Sequence, residues 1–251
     1  MGGAILRGWI NSGVNTLDVI VLDKLPNTTP DFDGIKWVSS VNDDLLQSRI
    51  GCVVIAVKPS QVSELLTSLD KLLQKKPMVL SVVAGKNTDD FSIYDNPVVT
   101  VMPNTPSAIN QGNLILYKNQ FVDKGLEGFA HSLMEPLGLT CWIKDESLMG
   151  LMTAVSGSGP AYVFYFMKLL KDRLIRGGIN DDDSDKLVTN LFAGSVAYKQ
   201  SSTQTLEGLI KQVTSPGGTT EAALNVLRDE RELDCVIDKA IDAAIERAAK
   251  L

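Results

Sequence analysis

Residues Cys52–Val57 read Cys-Val-Val-Ile-Ala-Val, an almost unbroken apolar run that stops at Lys58-Pro59. A β-branched run without polar alternation suits a strand buried on both faces, and such strands belong to parallel sheets covered by helices on each side. Asp18–Asp23, Met78–Val83 and Val98–Met102 are runs of the same kind, and Lys36–Ser40 is a weaker one. Leu114–Tyr117 and Cys141–Ile143 add two more candidates. Helical spacings lie between them: Leu45, Leu46 and Ile50, then Val62 to Leu73, then the stretch around 123–135. Strands alternating with helices predict an α/β domain over residues 1–144, a Rossmann-like doubly wound sheet.

Ligands of such sheets lie outside the carboxyl ends of the strands. The segments there are Asp23-Lys24, Ala56-Val57-Lys58-Pro59, Val83-Ala84-Gly85 and Met102-Pro103-Asn104-Thr105-Pro106. Singly, each is an ordinary strand-to-helix loop; four at corresponding positions outline a dinucleotide groove. The fingerprint of that groove is a strand, Gly-x-Gly-x-x-Gly and a helix, with an acid about 20 residues on. This chain opens on Met1-Gly2-Gly3-Ala4, the tail of such a loop, with Asp23 standing where the ribose-binding acid is expected. The first strand of the fingerprint is absent. That strand is central in the usual order, so its absence predicts a split sheet. It also leads us to expect a reading frame extending upstream by about a dozen residues, the length of a strand of ~5–6 plus a turn.

From Asp145 onward no strand pattern is found, and residues 145–251 are predicted to be helical. Ser156-Gly157-Ser158-Gly159-Pro160 interrupts a first helix, and proline suits the first turn of the next. That next helix, Ala161 to about Arg176, is apolar nearly all round through Tyr162–Met167, which asks for cover from a second copy. Asp181, Asp182, Asp183 and Asp185 could hold a metal, or could complement the dipole of a helix start; the helix reading is adopted. Further helices are expected over Lys186–Gln200, Leu206–Gln212, Glu221–Arg228 and Leu233–Leu251.

The remaining composition narrows the chemistry. The net charge is −6 with no basic block longer than Lys75-Lys76, so nucleic-acid binding has no electrostatic support. No apolar run approaches the ~20 residues of a membrane helix. Three distant cysteines suggest neither a disulfide framework nor a zinc cluster, and a single histidine, His131, leaves no histidine triad or metal site. These features predict a cytoplasmic, metal-free protein. Within the helical half, Val213-Thr214-Ser215-Pro216-Gly217-Gly218-Thr219-Thr220 joins two helices. It reads either as a plain corner or as an anion cradle, with helix-start N–H groups flanked by hydroxyls.

Four segments in order, Ala56-Val57-Lys58-Pro59, Met102–Pro106, Ser156–Tyr162 and Val213–Thr220, resemble the pyrroline-5-carboxylate reductase family. The resemblance covers the whole chain. It implies reduction of L-1-pyrroline-5-carboxylate to L-proline by NADP(H), with NAD(H) left open, in the last step of proline biosynthesis. It implies a homodimer or larger homo-oligomer in which the helical half completes a neighbour's site. Thr220 would meet the imine nitrogen, and Ser215, Thr219 and Thr220 would bind the carboxylate of the imino acid. Val57, Lys58, Pro59 and Ala84 would line the cofactor, with Asn42 at the adenosine end; Met1, Asp23, Ala56 and Asn104 complete the expected cofactor set. Two departures stand out. Lys211-Gln212 replaces the usual acid and small residue, and Asp23 opposes a 2′-phosphate that Lys24 could attract. A β-hydroxyacid dehydrogenase would want a catalytic lysine, and Lys168 and Lys171 lack its motif. The incomplete glycine loop leaves a second alternative, a non-catalytic or decayed dinucleotide-binding homodimer.

Overall fold

The computed structural model describes residues 1–24, 34–41 and 49–250. By internal contacts it divides into two compact units, Met1–Ser158 together with the chain from Ala244 onward, and Gly159–Ala243. The division falls beyond 144 because the segment after the last strand stays with the first unit. There the Glu146 carboxylate accepts hydrogen bonds from the Thr88 N–H (2.7 Å) and hydroxyl (3.3 Å).

The first unit opens on helix α1 (Gly2–Asn11). Among the described residues seven strands follow: β1 (Ile20–Leu22), β2 (Lys36–Val38), β3 (Cys52–Ile55), β4 (Met78–Ser81), β5 (Val98–Met102), β6 (Gly112–Lys118) and β7 (Gly138–Trp142). Helices α2 (Val62–Ser68), α3 (Asp70–Leu73) and α4 (Lys124–Met134) connect them, and α5 (Met149–Met152) comes after β7. The strands fall into two sheets, the split expected from the sequence. Strands β1 and β2 form a parallel pair, and β3-β4-β5-β6-β7 form a second sheet. Among the described strands, the β5–β6 pairing alone is antiparallel, with Thr100 opposite Tyr117.

Every residue of β4 and β5 is buried. Met78, Leu80, Val99 and Val101 face a core shared with α1, while Val79 and Val98 face one shared with α2 and α3. The period of two in a strand alternates neighbours between the two layers. Strand β3 is only half-buried over Cys52–Val54, as suits a sheet edge. Even so, burial pushes the Cys52 thiol up to about 12.

The second unit is all helical: α6 (Gly159–Arg176), α7 (Asp181–Ser201), α8 (Leu206–Gln212), α9 (Thr219–Leu227) and most of α10 (Glu232–Ala248). The acidic run forms the first turn of α7, capped by Asn180, whose side chain accepts from the Asp183 N–H. Lys171 bridges Asp181 (3.2 Å) and Asp185 (3.0 Å). Phe164 and Tyr165 on α6 are each 62% exposed, and Leu187, Leu191 and Val196 on α7 are also open. Among the described residues, no helix is long and apolar enough to cross a membrane.

Helix α1 docks through a glycine. A Cβ at Gly8 would stand 2.3 Å from Leu137 Cδ2 and 2.9 Å from the Ser107 carbonyl oxygen. Helix propensity favours alanine by up to ~1 kcal/mol, but overpacking a rigid backbone contact costs about 1–3 kcal/mol. Gly8→Ala is therefore expected to lower the thermal midpoint, which calorimetry measures. Thiol titration at pH 8 should modify the exposed Cys141 promptly and spare Cys52 until the chain unfolds. Above pH ~9 the unfolded chain ionises Cys52 first; stability is then lost as pH rises toward 12, and Cys52→Ala should blunt that loss.

Candidate dinucleotide groove and substrate loop

Strand β3 delivers Ala56 and Val57, half-buried, then the exposed Lys58. The Lys58 N–H donates to Gln61 Oε1 (3.2 Å), and Pro59 opens a short 3₁₀ turn leading into α2. This tie makes Gln61 a positioning residue that sequence reasoning missed, although Lys-Pro-Ser-Gln has the spacing of a helix-start box. Met1 caps α1, and a Cβ on Gly2 would come within 3.0 Å of Ala56 Cβ. The helix start and the end of β3 thus meet at Gly2 and Ala56.

Beyond β4, Ala84 is half-buried and Gly85 takes a left-handed φ of +72° that other residues resist. The polypeptide is pinned a few residues on by the Thr88–Glu146 contact described above. No sequence signal connects residues so far apart. Beyond β5, Asn104 is 6% exposed and its amide works in both directions. Its Oδ1 accepts from the Asn113 N–H (2.9 Å), and its Nδ2 donates to the Ser156 carbonyl (3.2 Å). Ser156 lies in a π-helical turn, Thr153–Gly157, the form taken by the Ser-Gly-Ser-Gly interruption. Asn104 therefore fastens the Met-Pro-Asn-Thr-Pro loop to that turn. Asp23 stands at the end of β1, its N–H donating to the Val38 carbonyl (3.0 Å). Asn42 lies outside the described residues.

These groups suit a dinucleotide. The N–H groups of Gly2 and Gly3 at the start of α1 have no carbonyl within the helix to donate to, and the space over Gly3 is open to 4 Å. Side-chain-free amides at a positive helix end are the donor set for a pyrophosphate.

In the second unit, the Val213–Thr220 loop is shaped by its glycines. Gly217 has φ +72°, and a Cβ on Gly218 would stand 2.9 Å from the Ser215 carbonyl oxygen. Gly218 caps α9 without a side chain, leaving the amides of Thr219 and Thr220 in the first turn with no helical acceptor. Ser215 and Thr219 are exposed and Thr220 is half-buried. The structure thus brings Ser215, Thr219 and Thr220 to one helix start. Glu221, absent from the sequence expectation, takes the Gly217 N–H (2.8 Å). Its signal is an acid three residues after the cap. Gln212 donates to the Tyr198 hydroxyl (3.0 Å).

A strand-end groove with an unencumbered helix start, followed by an all-helical unit, defines a dinucleotide-fold oxidoreductase with a helical second domain. Comparison with known proteins identifies which. Residues 1–85 match the family model described as NADP oxidoreductase, coenzyme F420-dependent, and residues 146–251 match pyrroline-5-carboxylate reductase dimerisation. The whole chain is 30% identical to a pyrroline-5-carboxylate reductase of Pasteurella multocida, covering 94% of it. The Vibrio alginolyticus enzyme of that name is 34% identical over 79% of this chain and 74% of its own length. The solved Plasmodium falciparum pyrroline carboxylate reductase with NADP bound aligns with a TM-score of 0.87 at 27% identity, covering 100% of this chain and 94% of that one. The chain belongs to the pyrroline-5-carboxylate reductase family.

Removing the Asn104 amide strands a buried N–H and a buried carbonyl, at about 1–3 kcal/mol for each unsatisfied group. Asn104→Ala should lower the urea midpoint correspondingly. Asn104→Asp keeps the acceptor but loses the donor, and should fall between the two.

Proposed function

We propose that this chain reduces L-1-pyrroline-5-carboxylate to L-proline with a reduced nicotinamide cofactor, closing proline biosynthesis. The observation that carries the reading is the Val213–Thr220 loop, with its open helix-start amides and three hydroxyls, in a chain of this family. A bound reduced nicotinamide would supply a hydride to the carbon of the C=N bond. The nitrogen would take its proton through the Thr220 hydroxyl, which regains one from water, giving a secondary amine. The Thr220 hydroxyl donates a hydrogen bond to that nitrogen and holds it as its basicity rises. Ser215, Thr219 and the first-turn amides of α9 hold the carboxylate at the positive end of the helix. Positioning carries most of the catalysis, since no histidine or paired carboxylate stands in the loop.

In functional terms, residues 1–144 carry the cofactor through Met1, Asp23, Asn42, Ala56, Val57, Lys58, Pro59 and Ala84, with Asn104 fixing the loop beside them. Residues 145–251 carry the imino-acid loop and the surface for a second copy. The exposed aromatic face of α6 supports that surface, because rings such as Phe164 and Tyr165 are costly to leave in water. The cofactor is NADPH, with NADH as the competing donor. The setting is the cytoplasm, where reduced nicotinamide pools are kept. Gln212, held by Tyr198, is not assigned a cofactor contact.

Oxidation of NADPH or NADH in the presence of L-1-pyrroline-5-carboxylate tests the reaction directly; no turnover with either would refute it. Thr220→Ala should lower kcat about 10²-fold, the range for one positioned donor, while sedimentation shows the same oligomer. An unchanged kcat would assign the proton to water or to an already protonated imine.

A further inference from the structure

Lys24, the residue after Asp23, is held in an ion pair: its Nζ lies 2.6 Å from Glu64 Oε1. Glu64 stands in the first turn of α2, the helix that follows β3. Leu22, Val57 and Leu65 pack against one core, so the end of β1 and the start of α2 are neighbours. Both side chains of the pair are about three-quarters in solvent, 75% and 72%, and are open to an arriving ligand. A hydrogen bond and the charge of Lys24 hold the Glu64 carboxyl below its usual range. The Glu64 carboxylate therefore stays charged at neutral pH.

In a dinucleotide fold the end of this strand meets the adenosine ribose. A carboxylate there accepts from the ribose hydroxyls, and a cation takes a 2′-phosphate. Here Lys24, the residue after Asp23, already has a carboxylate partner in Glu64. We propose that Glu64 is a specificity-determining residue for the cofactor: it competes with the 2′-phosphate for Lys24 and so lowers the affinity for NADP(H) relative to NAD(H). A phosphate of nearly two negative charges competes with Glu64 for Lys24 and is repelled by that carboxylate. An unphosphorylated ribose makes no such demand. The inference rests on the nicotinamide-dependent reading given above.

Calorimetric titration of the full chain with NADP+ and with NAD+ tests it, in the parent, Glu64→Gln, Lys24→Gln and the double variant. Glu64→Gln should shift the NADP+-to-NAD+ affinity ratio toward NADP+ by roughly three- to fivefold, the range of one exposed ion pair. The double variant should lose that gain, and the kcat/KM ratio for the reduced forms should move the same way. A ratio unchanged by Glu64→Gln, or a gain that persists without Lys24, would overturn the proposal and leave the pair as a strut between β1 and α2. Binding of neither dinucleotide by the parent would instead overturn the cofactor reading itself, and this inference with it.

Discussion

Strands β4 and β5 lie between two apolar layers, and the rest of the first unit depends on that double burial. Met78–Ser81 and Val98–Met102 alternate their side chains between the layers with no residue left to solvent. A register slip of one residue would exchange the two sets, Val79 and Val98 for Leu80 and Val99, in cores already filled. Each fully buried aliphatic side chain is worth about 1.5–3 kcal/mol, so the register is held firmly. The carboxyl ends of these strands are therefore fixed points from which the Ala84-Gly85 and Met102–Pro106 loops leave.

Polar ties turn those fixed ends into a site. Glu146 gathers the N–H and hydroxyl of Thr88, and the Asn104 amide joins Asn113 to Ser156. Both ties reach from the sheet to the segment between β7 and α6. Buried or half-buried partners make them strong, since neither end has water to fall back on. The rim of the groove is treated differently. Lys24 and Glu64 pair in open solvent, where the exchange of one partner for a ligand costs little.

The helical unit shows the opposite balance. Helices α6 and α7 pack through contacts such as Phe166 against Phe192, edge to face with ring centroids 6.4 Å apart. Yet they leave Phe164, Tyr165 and Leu191 open. Apolar spacing all round a helix asks for cover, and these helices lie within the residues that match a family model described as pyrroline-5-carboxylate reductase dimerisation. The acidic start of α7 likewise has a local cause: first-turn acids, an Asn180 cap and Lys171 neutralise one another.

Much of this was legible in the residues. The apolar runs marked β4 and β5 most clearly, because burial on both faces removes the polar alternation that would disguise them. Gly-Gly and Pro-Gly-Gly marked their turns, since φ values such as +72° at Gly217 exclude most other residues. The split sheet expected from the opening residues is seen in β1-β2 standing apart from β3–β7. What only the tertiary structure decided are contacts between residues distant in sequence. Asn104, expected to line the cofactor, is occupied by two backbone partners, and Glu146 and Glu64 gave no local signal. A side-chain hydrogen bond leaves no period in the sequence, so its partner becomes visible only when the chain has folded. Sequence periodicity set the layers and the helix starts; packing chose which polar groups would face the groove and which would hold it in place.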